Sequence, residues 1–171
     1  IDNGMPVVIL KAADFGKTGY ETPQELEADD ALKARVEAIR LELGPSMNLG
    51  DVRDKTVPKM TLVAPPTGGG VIATRTFIPH RVHAAIGVLG ALSVATACLI
   101  PGSVAHEVSE LPAATGASSL DIEHPGGFFT VEVELENDGD RVEVKRSVLL
   151  RTARKLMQGS VFVPSGIWSG S

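Results

Sequence analysis

The sequence predicts an α+β protein, a curved, mostly antiparallel sheet wrapped around one central apolar helix. Three observations carry this. From Val82 to Leu99, eighteen residues pass without an Asp, Glu, Lys or Arg. One amphipathic helical pattern lies well upstream of that stretch, between Gln24 and Leu43. The other patterned segments, most of them in the second half of the chain, read as strands. A helix that is apolar all round needs cover on every side, and the inner face of a curved sheet supplies it.

In chain order, Met5 to Ala12 (MPVVILKA) is a short apolar, β-branched run and predicts a buried strand. Thr22-Pro23 with Glu25 marks a helix entry, Thr22 as N-cap and Pro23 at the first helical position. Leu32, Val36, Ile39 and Leu43 then recur at three and four, which gives that helix one core-facing side, and Gly44-Pro45 is expected to end it. GPSMNLGDVRDKT is a loop. Met60 to Val63 is a strand closed by two prolines, and GGGVIATRTFI is a glycine turn feeding another. SSLDIEH and FFTVEVELE are strands, Asn137-Asp138-Gly139-Asp140 is a hairpin turn, RVEVKRSVLLRTA returns antiparallel, and VFVP reads as a last strand.

The uncharged stretch is nearly long enough to cross a bilayer, which takes about 20 mostly apolar residues. Its make-up argues otherwise. It has only three Leu and one Ile among Ala, Gly, Val, Ser and Thr, whereas lipid-facing helices are richer in large aliphatic residues. Ala84, Gly87, Gly90, Ala91 and Ala95 keep the helix thin enough for backbone to approach it. The expectation is a buried helix beginning near His83 and stopped by Pro101-Gly102, with no membrane span.

The 171 residues suffice for one domain with a real core. With 43% hydrophobic and 22% charged residues the composition is that of a globular protein. A net charge of −5 and 4% aromatics argue against a nucleic-acid binder. Cys98 is the one cysteine, so no internal disulfide forms, which fits a cytoplasmic protein. The chain opens almost inside a strand, which predicts a piece of a longer protein with a preceding part.

Charge is unevenly placed. Between Val52 and Gly90 stand Arg53, Lys55, Lys59, Arg75 and Arg81 against the single acid Asp54, with His80 and His83 in the same window. A local positive field on an acidic chain suits an anionic small molecule; chance clustering on a solvated face gives the same pattern. Arg75 lies in the strand before the apolar helix, Lys59 at a strand start, and His83 at the expected helix entry, where free backbone N–H groups can meet an anion. His83 also suits helix capping or a satisfied core position. Cys98 reads as a core residue. No metal-ligand spacing and no phosphate-binding glycine loop is visible.

Taken together, IDNGMPVV, SMNLGDVRDKTVPKMTLVAPP, ATRTFIPHRVHAAIGVLGALSVATACLIPGS, the HPGG of His124 to Gly127 and LLRTARKLMQGSVFVP resemble the C-terminal half of the 4-oxalomesaconate tautomerases. These belong with the methylaconitate and methylitaconate isomerases, and the wider group shares the diaminopimelate epimerase fold. The resemblance implies two similar halves, each a curved sheet around a central helix, with the active site between them. This chain would be a single domain forming the second half.

It further implies cofactor-free keto–enol tautomerisation, or an allylic proton shift, of 4-oxalomesaconate in gallate or protocatechuate degradation. Sister activities are 2-methylaconitate and methylitaconate isomerisation, and a non-catalytic module that binds a carboxylate or a partner is the reading outside enzymes. The epimerase places a catalytic cysteine at the start of this helix. Here Ile86 stands near that place and Cys98 is twelve positions further on, so epimerase chemistry is not expected. The acid and base of the isomerase branch are understood to lie in the N-terminal half. This chain would then bind a polycarboxylate substrate through Arg75, Lys59 and His83, with Asn3, Gly4 and Met5 lining the cleft and Ser46 and Asn48 as a second polar group. Asn3-Gly4 and the Ser46 to Asn48 segment are equally turn chemistry. Cleft surface exposed on one half alone favours homodimerisation.

Overall fold

The computed structural model describes residues 1–112, 118–138, 141–150 and 153–168. Strand β1 (Val7–Lys11) runs into a 3-10 turn (Ala12–Phe15), followed by helices α1 (Pro23–Glu27) and α2 (Asp30–Ser46). Then come β2 (Lys59–Ala64), β3 (Ile72–Ile78), the short β4 (Arg81–Val82), α3 (Val88–Cys98) and α4 (Val104–Val108). Three longer strands close the order: β5 (Ser118–His124), β6 (Gly127–Asp138) and β7 (Arg141–Leu149).

One sheet holds all seven of these strands in the order β1-β2-β3-β5-β6-β7, with β4 attached to β3. β1 pairs β2 and β3 pairs β5 in parallel; the other four pairings are antiparallel. The fold is thus α+β with a mixed, mainly antiparallel sheet.

The strand alternation sorts side chains into two cores. Val7, Val63, Ile72, Leu120, Ile122, Val131 and Val133 pack with α3 and α4, while Val8, Met60, Leu62, Ala73 and Phe77 pack with Leu26, Leu32 and Val36 of the outer helices. Gly90 to Cys98 are all buried, and α3 touches β1, β5, β6 and β7. The apolar helix is therefore enclosed by the sheet. No helix among the described residues is long and apolar enough to cross a membrane.

Several boundaries differ from expectation. The apolar stretch does not start its helix at His83. Val82 is strand, the His83 N–H donates to the Thr76 carbonyl at 2.8 Å and so prolongs the pairing with β3, and Gly87 is the N-cap. The upstream helix is split in two. Thr22 and Glu25 form the expected capping box, but Asp29 caps a second start by accepting from the Leu32 N–H. Gly44-Pro45 does not end α2. Gly44 is instead a contact glycine, since a Cβ there would stand 2.5 Å from Val52 Cγ2.

VFVP is not a strand. Val161 and Phe162 are 87% and 100% exposed, and the segment pairs with no strand among the described residues. The β6–β7 hairpin pairs through Asp138 and Arg141, while positions 139 and 140 of the expected turn lie outside the described residues.

Candidate functional site

Sheet topology gathers the sequence-predicted residues unevenly. β1 and β2 start together with Val7 opposite Lys59, β3 ends there with Phe77 opposite Met60, and β5 runs parallel to β3. One end of the sheet therefore collects the 3–5 segment, Lys59, the His83 loop and the turn after His124. A Cβ on Gly126 would stand 3.5 Å from the Ala84 carbonyl oxygen, so the last two are in contact.

The 3–5 segment is laid along α3, from Leu89 in its first turn to Thr96 in its last. The Asn3 N–H donates to Ser93 Oγ at 3.1 Å, and Asn3 Nδ2 donates to Thr96 Oγ1 at 2.8 Å and Ser147 Oγ at 3.1 Å. Ser93 Oγ donates on to the Met5 carbonyl. Gly4 has φ +92°, a left-handed conformation that glycine adopts without strain, and it faces Leu89. The Asn3 amide group is thus committed to holding this segment on the helix, and Gly4 is the exposed member.

Lys59 lies on the α3 side of the sheet, as its partner Val7 does. Its Nζ donates to the Thr56 carbonyl. Burial, and then the positive charge of Arg40, hold its ammonium below the usual lysine range. His83 is half-buried, and its Nδ1 accepts the Ala85 N–H at 2.9 Å. The neutral ring therefore carries its proton on Nε2 and presents a donor. His124 is held below the ordinary histidine range, first by burial, with the positive charge of Arg75 acting in the same direction. The first N–H groups of α3 have no side-chain cap.

Arg75 stands apart. It stands two residues from both Ala73 and Phe77 on β3, shares their face, and so points to the side of the outer helices. Its Nε donates to the Glu21 carbonyl at 2.5 Å and Nη1 to the Thr74 carbonyl at 2.8 Å. It contributes charge to the site region but not an open guanidinium fork. Ser46 and Asn48 are exposed at the end of α2, beside an apolar cleft of about 550 Å³ along the β1 edge that Met47 and Ile100 help to line. The remaining cations of the positive window disperse. Arg53 pairs with Asp51, Arg81 approaches Glu27, and Lys55 bonds the Leu49 carbonyl.

Cys98 is buried in α3 and burial pushes its thiol up to about 12, which leaves no thiolate for chemistry at neutral pH. Sequence reasoning missed Ser93 and Thr96, whose spacing of three on an otherwise apolar helix was the available signal. It also missed Arg40, which is fully buried.

A profile of the PrpF protein family matches residues 1–164. The chain is 60% identical over 164 residues to a (4E)-oxalomesaconate Delta-isomerase of Novosphingobium sp. (strain KA1), covering 95% of this chain and 44% of that protein. It is 55% identical over 170 residues to the 4-oxalomesaconate tautomerase of Pseudomonas putida, covering 99% of this chain and 46% of that one. The crystal structure of a methylitaconate-delta-isomerase superposes with a TM-score of 0.74 at 22% identity, over 96% of this chain and 46% of the other, which shows a shared fold. The chain spans a little under half the length of the relatives it matches. With a family profile running over nearly its whole length, the chain belongs to the PrpF family.

Proposed function

We propose that this chain is the substrate-binding, C-terminal half of a cytoplasmic 4-oxalomesaconate tautomerase with a diaminopimelate-epimerase-like fold. The observation that carries the reading is the 55% identity to a protein named 4-oxalomesaconate tautomerase, together with the 60% identity to one named (4E)-oxalomesaconate Delta-isomerase. Lys59 and the His83 ring, at the same end of the sheet, are consistent with a polycarboxylate ligand.

The reaction removes a C–H proton beside an unsaturated keto acid and returns one elsewhere. The intermediate is an enolate or dienolate, so donors fixed in advance lower the barrier. Lys59 supplies a partly desolvated positive charge, His83 an Nε2–H donor, and the start of α3 uncapped N–H groups, all at one end of the sheet. The segment of Asn3, Gly4 and Met5 forms the wall beside them. Arg75 adds long-range positive potential. Ser46 and Asn48 are assigned to the rim of the full-length protein. The acid and base are expected from the other half.

The test uses the full-length protein with 4-oxalomesaconate in D₂O without added metal, followed by absorbance and NMR. Fast keto–enol conversion with deuterium uptake is the expected result. Exchange into 2-methylaconitate alone would move the chain to the sister activity, and silence with both substrates would leave a carboxylate-binding module.

A further inference from the structure

We propose that Arg40 is the positioning residue for Lys59, clamping the loop that delivers the Lys59 ammonium to the α3 side of the sheet. The inference rests on the reading of Lys59 as a carboxylate anchor. Arg40 sits on α2, on the far side of the sheet from α3, yet it is 0% exposed. Its Nη1 donates to three carbonyls of one loop, Val52 at 2.9 Å, Lys55 at 3.1 Å and Val57 at 2.9 Å. Its Nε and Nη2 reach the two carboxylate oxygens of Glu37 at 2.7 and 2.8 Å.

A guanidinium buried this deeply is costly unless its donors are satisfied, and an apolar side chain of like volume is often as stable in such a place. Bulk stability alone is therefore a weak reason for it. What an apolar residue cannot do is gather three carbonyls of a loop onto one atom. The loop so gathered ends two residues before Lys59, and the Lys59 ammonium bonds back to Thr56 within it. The close Gly44–Val52 approach presses the loop's start against the same helix. Glu37 also lies 4.0 Å from His80 Nδ1, in the turn that leads to His83. The Arg40 charge, added to burial, also weakens Lys59's hold on its proton.

The experiment compares Arg40→Met and Arg40→Lys in the full-length protein. It reads steady-state kinetics and the titration of Lys59 by NMR of ¹³Cε-labelled lysine, with Lys59→Arg identifying the resonance. Arg40→Met is expected to raise KM for 4-oxalomesaconate about tenfold with kcat nearly unchanged. It should also move the Lys59 midpoint upward, since the ammonium loses both burial and a repelling charge. Arg40→Lys keeps a charge but cannot span three carbonyls, and a KM rise of about threefold is expected. If Arg40→Met does not fold, Arg40→Lys decides. A folded variant with the parent's KM and the parent's Lys59 titration would overturn the proposal. If the parent neither turns over nor binds a carboxylate, the functional reading fails separately, and the Lys59 midpoint alone then upholds or overturns the clamp.

Discussion

Glu123 on β5 is buried with its carboxylate against the 67–70 turn, where Oε1 accepts the N–H groups of Gly68 at 2.7 Å and Gly70 at 2.9 Å and Oε2 that of Thr67 at 3.0 Å. Burial by itself would raise its pKa; these backbone bonds outweigh burial and leave it below the ordinary 4.5. A depressed folded-state value contributes stability above the unfolded pKa, and that contribution is lost as the pH falls through the folded value. Glu123→Gln puts an NH₂ against N–H donors and should cost about 2–3 kcal/mol at pH 7. The gap between parent and variant should narrow as the pH falls below the 4.5 reference, because the folded-state value lies beneath it. Urea denaturation at pH 7 and pH 3 checks this; an equal gap at both would remove the charge from the explanation. Nothing in TGGG or SSLDIEH foretold the arrangement, because the two meet only through the parallel pairing of β3 and β5. Arg40 was hidden for the same reason. Its Glu37 partner at i−3 was visible as a helix-surface pair, but the three loop acceptors that bury it are backbone carbonyls, which leave no trace in side-chain identity. Lys59 and His83 were visible in the sequence as polar groups beside predicted elements, and the structure puts both at one end of the sheet. Arg75 was equally visible, but strand alternation sends it to the other face.

At the scale of elements, Gly44 reverses a common expectation. Alanine in a helix interior is ordinarily worth up to about 1 kcal/mol over glycine. At Gly44 the added Cβ meets Val52 Cγ2 at 2.5 Å and Cγ1 at 2.7 Å. Overpacking of that kind costs about 1–3 kcal/mol, so Gly44→Ala should lower the melting temperature. Val52→Ala in the same chain makes room, and the double variant should recover most of the loss relative to the two single changes. Additive losses would mean that the clash is not the cause. The sequence suggested a terminator here because Gly-Pro commonly stops helices; that the following loop folds back onto the helix is not written in its side chains. β1, the α1 entry with its capping box, and the strands of the β5–β7 meander were legible because their signals are local. The start of α3 was not. Periodicity cannot separate helix from strand in an unbroken apolar run, and the His83–Thr76 hydrogen bond that delays the helix is a tertiary event.

For the whole molecule, the wrapped architecture was legible because a helix apolar on every side admits few surroundings. The path of the last residues was not legible. VFVP carries a strand's composition, but composition records a preference for cover and not what provides it. Leu156 and Met157 are each 87% exposed, Ile167 is 79% exposed and Trp168 61%. A segment that buries so little contributes little to folding, while apolar surface presented to water favours association. Deleting everything after Leu150 should therefore shift the melting temperature by less than about 2 °C, the range expected for surface changes in a domain of this size. The same deletion should lower self-association by light scattering. Trp168 is the only tryptophan, so its emission gives a second readout on the intact chain. It should already be that of a solvated indole and should change little on denaturation. A large fall in melting temperature on deletion, together with a blue-shifted native emission, would mean that residues 153–168 are packed in solution, against this chain or a second copy of it.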